Sequence, residues 1–357
     1  MDKKLTPHQV IYDGSYESYV LSYEPSRTYI DPYYSCLVCD KPSQYRWLEA
    51  LRCGLDDEFV KRLLEHEDPP IGGPQFIFSA ACKYGNIPLA QWVLNTFTDQ
   101  DDSSMCENAV FSLACENGHL HVAQYLVEVF PNNIPRKVIK RAFHKTCLNG
   151  HLSVAMWLIK VFPKNIFQET IDNVFFSTCG EGHLHVVQYL VKIFPDKNFQ
   201  DVINNTLRIT CTSGHFHVFK WLFKVFSDVI LRDVICNTFN SACTHGHLHI
   251  AKWLRKMFPR IILKYSDYAF ISSCEKGYLH VIMWLIKVFP DNNSRSVINS
   301  AFRSACAKGH LCVAQLLVGV YPNLNPRGYD DYALKNACNN NHIHVAKWLF
   351  QTFPHMY

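Results

Sequence analysis

Cysteine and histidine recur together in this chain at a spacing a metal could use. Cys115, His119 and His121 form Cys-x-x-x-His-x-His, and variants of that pattern return along the sequence. Thiolate and imidazole are ordinary zinc ligands. Cys36-Leu37-Val38-Cys39, with Cys53 and His66 downstream, gives a second zinc-like arrangement. Both are weak. Leu120, Leu184 and Leu248 separate paired histidines, no carboxylate recurs to complete a shell, and the Cys36 arrangement lacks a second paired spacing. A free cysteine packs as a small apolar side chain. On that reading Cys82, Cys115, Cys147, Cys179, Cys211, Cys243, Cys274, Cys306 and Cys338, each three residues before a turn residue, belong to the core. Thiols one packed helix apart, ~8–10 Å, are too distant for disulfides. A reducing, cytoplasmic compartment is therefore expected, and no metal or cofactor.

Lysine supplies the other recurrent chemistry. Lys160, Lys192, Lys224, Lys256 and Lys287 each follow a turn glycine by ten residues, and Lys220 and Lys252 lie one helical turn earlier. This basic stripe suits an acidic protein surface or a nucleic-acid backbone. Charges ~10 Å apart are about a Debye length apart near 0.1 M salt, so they need no partner, and a solvated face is the preferred reading. The formal charge of only +4 is far from that of a dedicated nucleic-acid binder. The aromatic series Trp92, Tyr125, Trp157, Tyr189, Trp221, Trp253, Trp284 and Trp348 reads as core rather than a stacking platform for bases, because it sits at helical spacing beside leucine. No phosphate loop, nucleophile elbow, zinc-protease motif or dinucleotide fingerprint occurs, so no enzymatic activity is expected.

The elements that carry these residues are repeats. Gly85, Gly118, Gly150, Gly182, Gly214, Gly246, Gly277 and Gly309, with Asn341 in the ninth place, are separated by 33, 32, 32, 32, 32, 31, 32 and 32 residues. Around Gly150, Ile139, Ala142, Phe143, Thr146 and Cys147 form the apolar stripe of a first helix. Glycine then permits the left-handed conformation of a helix C-terminus, and asparagine is the next best residue there. Leu152, Val154, Ala155, Trp157, Leu158 and Val161 form a second helix, stopped at Phe162-Pro163. The same stop recurs at Pro131, Pro195, Pro259, Pro290, Pro322 and Pro354, while Phe226-Ser227 lacks it. One helix pair cannot bury both faces, so neighbouring pairs must stack. At 357 residues and 48% hydrophobic composition, one elongated all-α array replaces the two-domain prior that the length suggests.

The segment Phe111-Ser112-Leu113-Ala114-Cys115-Glu116-Asn117-Gly118-His119-Leu120-His121-Val122-Ala123-Gln124-Tyr125-Leu126 resembles the ankyrin-repeat family, and the resemblance extends over roughly residues 46 to 357. It implies a solenoid of helix-turn-helix repeats in which cysteine replaces a small alanine and the first histidine of each unit starts the second helix and bonds to neighbouring turns. The family's Thr-Pro opening and Gly-rich hairpin signature are missing. Val138-Ile139, Val202-Ile203, Val234-Ile235 and Val297-Ile298 extend the first helices backwards instead, so reduced hairpins are expected. Phenylalanine- and cysteine-rich arrays of this kind resemble those of giant viruses of amoebae, which would make the compartment a host cytoplasm. The expected organisation is a non-repeat, Tyr-rich segment over 1–43, a capping helix pair over 44–72 and nine repeats of about 32 residues over 73–357. No apolar run reaches a membrane span, and Met1-Asp2-Lys3-Lys4-Leu5-Thr6-Pro7 is no signal segment.

In such an array the positions that vary while the frame stays fixed are open to a partner. They lie nine and five residues before the turn: Arg141 and Lys145, Asn173 and Ser177, Asn205 and Ile209, Tyr268 and Ser272, Tyr332 and Asn336. Four-residue spacing puts each pair on one helical face, and the resemblance implies that this face is the concave, binding one. Leu113 and Ile209 would be its apolar anchors. The expectation is a monomeric protein-interaction scaffold or adaptor, with binding of nucleic acid or an acidic surface along the lysines as the alternative.

Overall fold

The computed structural model describes residues 73–97, 108–131, 134–163, 168–195, 199–262, 266–290 and 294–354. The chain divides into two units, Met1–Gly73 and Pro74–Tyr357, and the second is the one described below. The Tyr-rich segment 1–43, the capping pair over 44–72 and the Cys36, Cys39, Cys53 and His66 arrangement all lie outside the described residues.

The described residues are all-α, with no strand among them. Nine first helices are α1 (Gly73–Tyr84), α3 (Asn108–Glu116), α5 (Arg136–Leu148), α7 (Gln168–Gly180), α9 (Gln200–Thr212), α11 (Arg232–Thr244), α14 (Ser266–Lys276), α16 (Arg295–Ala307) and α18 (Gly328–Asn339). Their second helices are α2 (Ile87–Phe97), α4 (Leu120–Val129), α6 (Leu152–Val161), α8 (Leu184–Ile193), α10 (Phe216–Val225), α12 (Leu248–Met257), α15 (Leu279–Val288), α17 (Leu311–Val320) and α19 (Ile343–Thr352). A four-residue helix, α13 (Pro259–Ile262), follows α12, and a 3-10 turn over Ser227–Val229 follows α10. The Val-Ile pairs at 138, 202, 234 and 297 lie inside first helices, where a hairpin reading would have placed strands.

The turn inside each pair is a Schellman closure. At Gly118, φ is +80°; its N–H reaches Cys115 O at 3.1 Å, and His119 N–H reaches Ala114 O at 3.0 Å. These bonds satisfy carbonyls that a helix end would leave orphaned. The second helix ends when the N–H of a phenylalanine closes the last turn, as Phe162 does on Leu158 O at 2.9 Å, and the following proline has no N–H to continue.

Packing is local in sequence: from α3 onward, each first helix contacts its own second helix and the neighbouring first helices along the series α3 to α18. Phe78, Phe111, Phe143, Phe175, Phe239, Phe270 and Phe302 stand seven residues before successive turns, all fully buried, with Leu207 in the same register. Each contributes about 1.5–3 kcal/mol of transfer free energy. Alanines and cysteines fill the close approaches between them. Cys82, Cys115, Cys147, Cys179, Cys211, Cys243, Cys274 and Cys306 are buried. Cys338 corrects the expectation for its position: it is exposed, because among the described residues α18 packs on the first helix before it and its own second helix alone.

Candidate binding face and the ladders that position it

The recurrent histidines are committed to holding one unit on the next. The ring of the first histidine reaches the carbonyl two residues before the preceding turn; His247 Nε2 donates to Thr212 O at 2.8 Å. His119, His151 and His183 make the same bond to Lys83, Glu116 and Leu148. The second histidine donates to the turn carbonyl itself: His185 Nε2 to Gly150 O at 2.8 Å, His217 to Gly182 at 2.8 Å, His280 to Gly246 at 2.9 Å and His344 to Gly309 at 2.9 Å. His121 reaches Gly85 O at 3.2 Å. Each such bond contributes about 0.5–1.5 kcal/mol net. Burial, the largest influence, pulls His119, His151, His183 and His247 below the ordinary imidazole range. These rings are therefore held neutral as single donors.

Among the described residues no group of three or more histidine, cysteine or acidic side chains is placed to hold a metal ion. The thiols of Cys115, Cys147 and Cys243 are pushed far above the usual cysteine range by burial, and that of Cys306 to about 12, so they stay protonated. Cys211 donates its S–H to Thr238 O at 3.2 Å, a role of packing and not of ligation.

The first helices present their variable positions unequally. Nine residues before the turn, Arg141, Asn173, Asn205, Tyr268 and Tyr332 are exposed, Tyr268 at 64%. Asn237 occupies the same register and is exposed too; counting nine back from Gly246 finds it. Five residues before the turn, Lys145, Ile209 and Ser177 reach the preceding unit. Lys145 Nζ is 3.4 Å from Glu116 Oε1. Ile209 lies so close over Gly180 that a Cβ there would be 3.2 Å from Ile209 Cγ1. Leu113 is half-buried. Ser177 donates to Asn173 O at 2.7 Å and accepts from His144 Nε2 at 2.9 Å. Asn336 donates to Tyr332 O at 2.9 Å.

Ser272 departs from the expected contact set. It is only 8% exposed, covered where α14 packs on both α11 and α16, and its short side chain does not clear them. The exposed row nine before the turn, not the pair of rows, is what the fold leaves open.

No family model matches the chain, and no curated protein matches it.

On the second helices, Lys160, Lys192, Lys224, Lys256 and Lys287 are all exposed, as are Lys220 and Lys252. The aromatic series beside them is half-buried. Trp157, Trp221, Trp284 and Trp348 stand edge-on to Phe162, Phe226, Phe289 and Phe353 of their own units, at 6.1–6.5 Å. Neither the role of the second histidine nor a cavity of about 650 Å³ between α10 and α12 is visible in the residue pattern. Among the described residues no helix is long and apolar enough to cross a membrane.

Proposed function

We propose that this chain is a non-enzymatic protein-binding scaffold or adaptor, its helix pairs stacking as an ankyrin-like solenoid, with the partner held on the first-helix face. One observation carries the reading: residues nine before the turn vary among alanine, arginine, asparagine and tyrosine while exposed in seven of the nine units, Phe76 and Ser300 being half-buried, on a frame whose buried residues hardly change. A constant frame under a variable row is what a surface selected for recognition requires. Tyrosine and arginine are the residue types that anchor interfaces, through large contact area and multiple donors. The polar groups that recur as if for chemistry are spent on holding units together, which favours a binding role over catalysis. A monomer without cofactor, working in a reducing cytoplasm (a host's, if the chain is viral), completes the proposal.

The test is affinity capture with mass spectrometry, comparing the native chain with Arg141→Glu and Tyr268→Ala. A partner retained by the native chain and lost from both variants supports the reading. Identical capture by all three overturns it.

A second reading places nucleic acid along Lys160, Lys192, Lys224, Lys256 and Lys287, favoured by their shared exposure. Neutralising phosphates releases counterions, so affinity must fall steeply with salt. Absence of RNA or DNA binding at low salt ends that alternative.

A further inference from the structure

The cavity between α10 and α12 lies within the densest part of the basic stripe. Its walls are Trp221, Phe223, Ile235, Trp253, Met257 and Phe258, and Lys220 and Lys224 stand at its rim. We infer that it is a second docking site, which takes one aromatic or leucine-sized side chain of an acidic peptide segment whose carboxylates meet those lysines.

Three features of this junction carry the inference. First, it breaks the frame. The Phe ladder is interrupted by Leu207, and Ser227 stands where most units have proline. Trp157 lies 6.4 Å from Phe111 of the preceding unit and Trp284 lies 6.4 Å from Phe239. Trp253, the corresponding residue here, rests instead on Phe219 at 5.8 Å and Phe223 at 5.3 Å. Phe258 packs on Phe223 at 5.8 Å, and Met257 is 52% exposed at the mouth. The result is an apolar cleft of about 650 Å³, within the ~300–1,000 Å³ span of pockets that take ligands.

Second, the cations at its rim are uncommitted. Among the described residues no carboxylate pairs with Lys220 or Lys224, which are exposed one helical turn apart on α10. Lys252 and Lys256 continue the positive field on α12. Such a field steers an acidic segment and selects against a basic one.

Third, His217 and Ser227 of the lining are already used. His217 donates to Gly182 O and Ser227 to Asp228 Oδ1. Asp228 makes the loop side of the mouth acidic, so the carboxylates of the segment belong on the helix side, with the lysines. A desolvated apolar anchor ringed by charge is the arrangement in which a few residues dominate binding.

This site is on the second helices, separate from the row at Arg141, and stands or falls apart from it. The probe is a fluorescein-labelled peptide of one phenylalanine with four glutamates on each side, followed by anisotropy on the full chain. Saturable one-to-one binding is expected, weakened at least tenfold by Phe→Ala in the peptide. Lys220→Gln with Lys224→Gln should weaken it tenfold at unchanged melting temperature, and Met257→Trp should weaken it by narrowing the mouth. Arg141→Glu should leave it intact. Loss of equal size from Lys160→Gln with Lys192→Gln, or indifference to the phenylalanine, would show plain charge attraction and overturn the site. So would absence of saturation, or saturable binding of decanoate without the peptide, which would make the cleft a small-molecule pocket.

Discussion

The imidazole of His183 lies against the α-carbon of Gly150 so closely that a Cβ there would come within 2.5 Å of Nδ1. The same relationship joins His119 to Gly85, His151 to Gly118 and His310 to Gly277, and at Gly246 the ring of Tyr278 takes the histidine's place. Two demands for glycine thus coincide at one residue. Its φ of +79° costs a side chain about 1–2 kcal/mol, and the neighbouring ring forbids the Cβ. Gly150→Ala should therefore destabilise by more than backbone strain alone. In a His183→Ala background the cost should shrink towards that strain, because the two changes share a contact and are not additive. Urea denaturation of the four proteins of this cycle checks it; a coupling of zero would refute the steric account.

Asn341 provides the converse. Its φ is +62°, yet its side chain is exposed, since among the described residues no ring rests on it. Only the backbone demand remains, which asparagine meets at small cost. Asn341→Gly should change stability by no more than about 0.5 kcal/mol, whereas Gly309→Asn, beneath His342, should cost several times that. Thermal denaturation of the two variants separates them.

The histidine ladder predicts a pH dependence of definite sign. His119, His151, His183 and His247 have pKa values lowered from the ordinary 6.5 by burial. The fold thus favours the neutral ring. Its contribution is complete above the unfolded value and is lost as pH falls through the lowered folded values. Melting temperature should be level from pH 8 to 7 and fall from about pH 6.5 downward, before most carboxylates titrate. His247→Gln should flatten part of that fall; a rise in stability over the same interval would contradict the assignment.

Buried thiols and exposed ones should separate chemically. Cys115, Cys147 and Cys243 are buried and protonated, while Cys312 and Cys338 are exposed. Alkylation of the folded chain followed by peptide mapping should mark Cys312 and Cys338 and spare the other three. Cys147→Ser should destabilise by about 1–3 kcal/mol, the cost of burying a hydroxyl without a fitted partner, while Cys147→Ala should cost less.

Periodicity made much of this fold legible. The glycine spacing, the Phe-Pro stops and the stripe through Ile139, Phe143 and Cys147 place both helices of a pair, because these local signals agree with the packing they produce. What stayed hidden depends on contacts between units. The second histidine alternates with Ser153 and Cys312 and faces outward from its own helix, so only the position of the neighbouring turn reveals its bond. Cys338 follows the sequence rule but is exposed, with no further unit among the described residues to cover it. Ser272 and Tyr268 share a helix face in projection, yet packing by α11 and α16 buries one and leaves the other open. The cleft beside Trp253 arises from Leu207, Phe223 and Ser227 of one unit, whose joint effect shows only where the next unit's Trp253 packs on that unit.

Arg141 and Lys145 are one turn apart on α5, but the structure divides their roles. Arg141 is exposed, whereas Lys145 reaches Glu116 on the preceding unit at 3.4 Å. Reversing Arg141 to glutamate disturbs no contact within the frame and should leave the melting temperature unchanged. Lys145→Glu sets two carboxylates against each other at a half-exposed site, where an ion pair contributes about 0.2–1 kcal/mol. A loss of that order is expected, relieved when Glu116→Lys restores opposite charges. If the first-helix row binds the partner, Arg141→Glu weakens capture at full stability, and Lys145→Glu with Glu116→Lys regains stability without regaining capture. Should the double variant recover both, Lys145 acts only through the frame, and the partner surface narrows to the exposed row that begins at Arg141.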